Sequence, residues 1–204
     1  MPNRRSVSLI GILAATAMLT GCGWFSGPSK PVAPKGTDTL KPTYSEYSGK
    51  LERLEYDSNK NGKFDTFAYM DGLTVRRVEV DANEDGTIDR WEYYQAGNKL
   101  TKVGLSGKND GVVDTWLYPG ADGQLAKREV SAKRDGTVSR TETYTAGQLA
   151  SAKDDTNGDG KVDKWETYTK GVLTSVAFDT TGTGTPDRRV VYLPTGGSRI
   201  EKLR

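Results

Sequence analysis

The sequence predicts an all-β protein built as a repeat array of antiparallel β-hairpins. Three observations predict it. The pattern Asp-x-Asn-x-Asp-Gly-x-x-Asp-x-Trp returns every 24 or 25 residues and is fullest at Asp81–Glu92 and Asp155–Glu166. Between its copies falls an aromatic, a short glycine turn and an aliphatic: Tyr69 with Gly72 and Leu73, Tyr94 with Gly97 and Leu100, Tyr144 with Gly147 and Leu149, Tyr168 with Gly171 and Leu173. The segments so delimited have seven or eight residues rich in Thr, Val, Tyr and Trp, which suits strands and is too short for stable helices.

Residues 1–21 read as a targeting leader and stand outside the fold. Arg4 and Arg5 give it a positive start, and Val7 to Leu19 is mostly apolar but too short to span a bilayer as a helix. Leu19-Thr20-Gly21-Cys22 closes it. This resembles a bacterial lipobox, which implies diacylation of Cys22 and cleavage before it. The lone cysteine of the chain sits where that pattern needs it. Two acyl chains with an N-acyl group anchor firmly, whereas one chain is marginal. Gly23, where an aspartate would imply retention at the inner membrane, implies an outer-membrane lipoprotein of a Gram-negative cell envelope, on its periplasmic or surface face.

Residues 22–43 read as the lipidated cysteine and a tether. Four of the eight prolines fall here among Gly, Ser, Thr and Lys, giving a reach of roughly 25 Å if coiled and about 65 Å if polyproline-like.

The repeat domain is expected over 44–204. Copies of the loop begin at Asp57, Asp81, Ser106, Ser131, Asp155 and Asp179, and Tyr47-Ser-Gly49-Lys-Leu51 reads as half of a truncated leading repeat. Phe64, Ile88, Val113, Val138 and Val162 take one apolar position, while Phe67, Trp91, Trp116 and Trp165 take a second on the opposite face. Both faces are then half apolar and half charged, which no two-sheet sandwich would choose. Hairpins that pack on their neighbours alone fit better, as an open twisted meander or a closed barrel-like sheet. An open sheet exposes edge strands, and the charges of residues 198–204 are the gatekeepers visible at one edge.

Composition excludes several functions. With no histidine, neither a Ser-His-Asp triad nor a histidine-based zinc site can form. With one cysteine, no intrachain disulfide can form. Removing Arg4 and Arg5 with the leader leaves 27 basic and 27 acidic residues, so a neutral mature chain has no electrostatic case for nucleic acid. Carboxylate pairs can hydrolyse glycosides, but a chain this rich in Asp contains such pairs by chance, and no enzyme is predicted. At 34% hydrophobic the domain is poor in apolar residues, so metal binding is a candidate supplement to burial.

The loops carry the candidate chemistry. Alternating oxygen side chains followed by a glycine at a sharp turn are what a hard cation such as Ca²⁺ requires. Asp81–Glu92 and Asp155–Glu166 resemble the EF-hand, dockerin and thrombospondin type 3 class of calcium loops. The resemblance implies as ligands Asp81, Asn83, Asp85, Asp89 and the Thr87 carbonyl in one loop. In the other it implies Asp155, Asn157, Asp159, Asp163 and the Lys161 carbonyl. Glu92 and Glu166 stand at the twelfth place. With no exiting helix, the ninth and twelfth residues of a strand face opposite ways, so these two are weaker candidates. Asp57, Asn59, Asn61 and Asp65 form a weaker third loop with fewer charges.

The other copies are degenerate. Asp179, Thr181, Thr183 and Asp187 carry Pro186 among them. In the third and fourth copies Lys108 and Lys133 stand at a ligand position beside Asp110 and Asp135, where an ammonium would balance the carboxylate without metal. All six also admit a plainer reading as turns, since Asx side chains bond their own backbone and Gly accepts positive φ.

Trp91, Trp116 and Trp165 recur at one position and form either a stripe that stacks on sugar rings or docks a partner, or the core of a thin sheet. The Tyr-x-x-Gly-x-Leu spacing resembles the MORN-variant repeats of bacterial immunity and antitoxin proteins, which implies a metal-independent scaffold that blocks a partner. The sequence thus predicts a membrane-anchored, non-enzymatic structural or adhesive lipoprotein with structural Ca²⁺. Its partners would be an envelope protein or a polysaccharide. The alternatives are that binding scaffold or a carbohydrate-binding module.

Overall fold

The computed structural model describes residues 39–203. The leader, Cys22 and most of the expected tether lie outside the described residues. The described residues form fourteen strands: β1 Leu40–Tyr44, β2 Leu51–Tyr56, β3 Thr66–Asp71, β4 Thr74–Val80, β5 Arg90–Gln95, β6 Lys99–Leu105 and β7 Thr115–Pro119. They continue as β8 Leu125–Val130, β9 Arg140–Thr145, β10 Gln148–Asp154, β11 Lys164–Thr169, β12 Val172–Phe178, β13 Arg188–Tyr192 and β14 Ser198–Lys202. Every strand pairs antiparallel with its sequence neighbours, in the order β1 to β14. The two end strands do not pair with each other, so the sheet is open. Each strand touches only the strands beside it, which makes the domain a single layer.

Two boundaries differ from expectation. The sheet begins at Leu40, four residues inside the expected tether, and β1 includes Pro42. An edge strand tolerates proline because its outward side needs no ladder donor. The strands also have five to seven residues, because the eighth loop residues, Ile88 and its equivalents, lie before the strands begin.

Cross-strand register sorts the side chains. One face carries the row Glu55, Phe67, Glu79, Trp91, Gly104, Trp116 and Glu129. Beside it runs Arg53, Tyr69, Arg77, Tyr93 and Lys102, each directly opposite the next. Cations and rings therefore alternate. The Arg53 guanidinium lies 5.0 Å from the Phe67 ring centre, Arg77 4.5 Å from Tyr69 and Lys127 3.9 Å from Tyr118, close enough for cation–π attraction. With none of the described strands stacked on it, the layer covers its rings with the aliphatic stems of long cations.

Gly104 has a packing role in this row. A Cβ there would stand 3.0 Å and 3.1 Å from two Trp116 ring atoms and 3.2 Å from a Val113 methyl. Gly104→Ala is expected to lower stability by about 1–2 kcal/mol, seen as a lower melting temperature with a shifted tryptophan emission.

The opposite face has apolar Val103, Ala152 and Val176 as its buried members, but carboxylates lie in the same row, with Glu142 and Glu166 at 7% and 8% exposure. They are neutralised by a lattice of charges. Arg140 donates to Glu142 at 2.8 Å, to both oxygens of Asp154 at 2.9 and 2.7 Å, and to Glu166 at 2.9 Å. Lys164 pairs with Glu166 at 2.5 Å, and Arg128 with Glu142 at 3.2 Å. Tyr144 and Tyr168 donate their hydroxyls to Glu142 and Glu166 at 2.7 and 2.9 Å.

These contacts set the acid response. Burial pushes the Glu166 carboxyl up, but Lys164, Arg140 and Tyr168 more than offset it and hold its pKa at about 2. A depressed folded pKa means the stabilisation is complete above the unfolded value of 4.5 and disappears as pH falls toward 2. The unfolding free energy, read by urea titration, is expected to fall through that window by about 2 kcal/mol from Glu166 once solvent screening is discounted.

Candidate metal centre

The six long loops join β2–β3, β4–β5, β6–β7, β8–β9, β10–β11 and β12–β13, and strict alternation of strand direction brings all of them to one edge. They are stitched side by side. The first residue of each donates its backbone N–H to the ninth residue's carbonyl in the loop before: Asp81 to Asp65, Ser106 to Asp89, Ser131 to Asp114 and Asp155 to Ser139, all at 2.8 Å. The sheet ladder thus continues one rung beyond the strand ends.

Within each loop, side-chain oxygens organise the backbone. Asp81 accepts the N–H of Asp85 at 3.2 Å and of Gly86 at 2.8 Å. Asn83 accepts Asp85 N–H at 3.1 Å, and Asp85 accepts Thr87 N–H at 2.8 Å. That last bond, with help from the Asn83 amide, holds the Asp85 carboxyl below its ordinary range. Asp155, Asn157 and Asp159 repeat the scheme toward Asp159, Gly160 and Lys161. The ninth residue clamps the second: Asp89 accepts Ala82 N–H at 2.8 Å and Asp163 accepts Thr156 N–H at 3.0 Å. Asp57, Asn59, Asn61 and Asp65 follow the same plan. The loops are therefore ordered by carboxylate–amide bonds.

Each predicted set is gathered in its own loop, with two exceptions. Glu92 and Glu166 lie on β5 and β11 and are turned to the charged face. Glu92 is held there by Arg90 at 2.5 Å and by the Tyr94 hydroxyl, and Glu166 by Lys164 and Arg140. They are bound into the sheet rather than the loops, because the pleat turns them away and cations compensate them there. Trp91, Trp116 and Trp165 share the other face, half-buried. Trp91 and Trp116 flank Gly104, while Glu129, Thr141 and Lys153 separate Trp116 from Trp165.

Whether the loops suit a cation is tested by their own residues. Among the described residues no group of three or more acidic side chains stands ready to hold a metal by itself; the predicted donor set is mixed, with Asn oxygens and a carbonyl. In the loop 106–114 a cation sits on that mixed set. The Arg134 guanidinium contacts the Asp110 carboxylate, the Val112 carbonyl at 3.0 Å and the Asp114 carboxylate at 3.3 Å. These are the fifth, seventh and ninth residues, the places held by Asp85, Thr87 and Asp89 in loop 81–89. In that loop Asp89 is 8% exposed, and its second carboxylate oxygen is buried with no hydrogen-bond partner. The donor set fits a small cation.

Sequence reasoning assigned charge compensation in the third and fourth loops to Lys108 and Lys133. Arg134, one repeat further on, supplies it in the third; in the fourth the charge of Lys133 helps lower the Asp135 carboxyl while its ammonium donates to the Gly158 carbonyl at 3.0 Å. The signal available was the 24-residue spacing from Asp110 to Arg134. The Glu–Tyr bonds were also unforeseen, although the alternation of cation, Glu and Tyr at 90-92-94, 140-142-144 and 164-166-168 marks them.

No protein-family model matches the chain, and no curated protein matches it either. Among solved structures it is similar at 14% identity to a chain of the accessory secretory protein 1, 2 and 3 structure from Streptococcus pneumoniae. That match covers 74% of this chain and 21% of the other, with a TM-score of 0.28. It is similar at 15% identity to a chain of the GtfA/B complex bound to UDP and GlcNAc, covering 84% and 25%, with a TM-score of 0.19. The chain spans about a fifth to a quarter of the length of these solved chains.

Proposed function

We propose that this protein is an envelope-anchored, non-enzymatic scaffold, a lipoprotein whose single-layer sheet is rigidified along one edge by Ca²⁺ in the loops 81–89 and 155–163. The observation that carries the metal assignment is the Arg134 guanidinium, a cation resting on the fifth, seventh and ninth residues of a sibling loop. Asp81, Asn83, Asp85, Asp89 and the Thr87 carbonyl, with their counterparts in the second loop, would hold the ion. Bound Ca²⁺ supplies charge neutralisation and fixes the loop against its neighbours. Anchoring rests on Cys22 and the Leu-x-Gly-Cys pattern. The partner class is an envelope protein or polysaccharide.

The test is a thermal melt of residues 24–204 in millimolar Ca²⁺ and in chelator, repeated for Asp85→Ala with Asp159→Ala. At 1 mM Ca²⁺ and a Kd of about 10⁻⁴ M, each loop contributes about 1.4 kcal/mol. A Ca²⁺-dependent rise confined to the native sequence is the expected result; identical melts under all conditions would refute it. For the anchor, Cys22→Ala is expected to move the chain from the membrane to the soluble envelope fraction.

One observation favours a second reading, a binding scaffold that uses the ring-bearing face. Lys102 lies 4.7 Å from the Tyr93 ring centre and 4.2 Å from that of Trp116. Neighbouring Arg53, Arg77 and Lys127 each pair with a Glu on their own strand, whereas the residue corresponding to that Glu on β6 is Gly104. An anionic glycan would meet cation and rings together there, and quenching of tryptophan emission by acidic polysaccharide fragments tests it.

A further inference from the structure

The fourth residue of every long loop has a left-handed backbone: Lys60 at φ 63°, Glu84 at 58°, Asn109 at 54°, Arg134 at 59°, Gly158 at 74° and Gly182 at 72°. Such a residue is uncommon outside glycine, so six in register mark a fixed feature of the loop. In the second and fourth loops its side chain is long and charged and crosses to the loop before. Glu84 accepts the side-chain amides of Asn59 and Asn61, the latter at 2.7 and 2.6 Å, and stands 4.0 Å from the Lys63 ammonium. Arg134 crosses to Asp110, Val112 and Asp114. Where the fourth residue is glycine, the backbone carbonyl is met instead by a lysine of the preceding loop, Lys133 on Gly158 and Lys161 on Gly182.

We propose that the fourth residue of each loop selects the cation of the loop before it, and that Arg134 is the resident cation of loop 106–114, seated in place of a divalent ion. Three observations support this. The guanidinium touches the three positions that a metal would use, as a bidentate partner of Asp110 with a further bond to a carbonyl. Its own side chain is 16% exposed and that of Asp110 46%, so the pair is half-solvated and is held by its two-point geometry. Its bond to Asp110 holds that carboxyl well below the ordinary range, so both partners carry their charge at neutral pH. A guanidinium cannot be diluted away or chelated. The centre of the array is therefore cation-filled at all times, while loops 81–89 and 155–163, which face Asn109 and Gly182, are left to external ions. The exchange of one cation type for the other rests on the Ca²⁺ reading above; the resident role of Arg134 does not.

The test uses the mature chain with four variants, reading the melting temperature in chelator and the Ca²⁺ bound per chain by equilibrium dialysis. In chelator, Arg134→Gln is expected to melt several degrees below native, because two carboxylates and a carbonyl lose their cation. Adding Asp110→Asn to it is expected to recover part of that loss. A merely space-filling arginine would show no such recovery, so a native-like melt for Arg134→Gln, or no recovery with Asp110→Asn, overturns the proposal. In Ca²⁺, Lys108→Asn with Arg134→Gln is expected to bind one more ion per chain than native and to regain its lost degrees. Asn109→Arg, which touches no predicted ligand, is expected to bind one fewer by plugging loop 81–89. Ca²⁺ binding by the native chain without either change would refute the selection rule. No Ca²⁺ binding by the native chain would refute the function proposed above, and the chelator measurements would still decide the role of Arg134.

Discussion

Arg140→Met is expected to lower the unfolding free energy by about 3 kcal/mol, the low end for stripping the partner from buried charge, given that the guanidinium is partly solvated. The substitution keeps most of the volume and removes only the charge that serves Glu142, Asp154 and Glu166 at once. Those carboxylates belong to β9, β10 and β11, so the loss falls on two strand interfaces and not on one pair. Lys164 and Arg128 remain and compensate part of it. Urea midpoints at pH 7 and pH 3 distinguish this from a packing effect. At pH 3 the native chain has already lost part of what its depressed Glu166 pKa contributes, while the variant has little of that contribution to lose. The gap between the two is therefore expected to narrow. A gap unchanged with pH would show that Arg140 acts through its stem.

Asp57→Ala is expected to cost about 3 kcal/mol. Asp57 is 2% exposed, and its carboxylate accepts the N–H groups of Lys60 at 2.6 Å, Asn61 at 3.2 Å and Gly62 at 2.8 Å. Each of these donors loses a bond to a charged acceptor that is itself shielded from water. Asp57→Asn keeps one acceptor oxygen and is expected to lose about half as much. Asp179→Ala removes the same cap from a more exposed loop, where water replaces it, and is expected to lose less. Measured in chelator, these three variants separate hydrogen bonding from any metal effect. Amide exchange at Lys60 and Gly62 should quicken in Asp57→Ala before the rest of the sheet responds.

Much of this architecture was legible because the repeat is short and its punctuation regular. A Gly turn and an Asp-Gly loop alternating every dozen residues leave a meander as the simplest path, and polar residues on both sides of each strand exclude a second layer. Closure was not legible, because nothing in a repeat states where it stops; the unpaired β1 and β14 are a fact of three dimensions. Pro42 hid the first strand, since the same residue marks a tether and an edge strand alike. The loop contents were legible as far as each loop reaches. What one loop does to the next was not, because the contact from Arg134 to Asp110 depends on the register of neighbouring loops and on a left-handed φ that sequence assigns readily only to glycine. Glu92 and Glu166 show the converse: strand periodicity already argued against them as ligands, and their cation and tyrosine partners complete the explanation.

A sheet in which each strand is held only by its neighbours has its two free edges at opposite ends, about 60 Å apart for fourteen strands at the usual spacing. A load applied between β1 and β14 runs along the hydrogen bonds and opens them rung by rung, so the layer peels from an edge instead of shearing as a block. Each repeat of 24 or 25 residues would pay out about 80 Å of chain. Contacts such as Glu84 on Asn61 and Arg134 on Asp110 act as rivets between successive releases. Held at one end, such a layer would be an extensible strap whose yield is set locally, repeat by repeat, by the charge that each loop lends to the one before it.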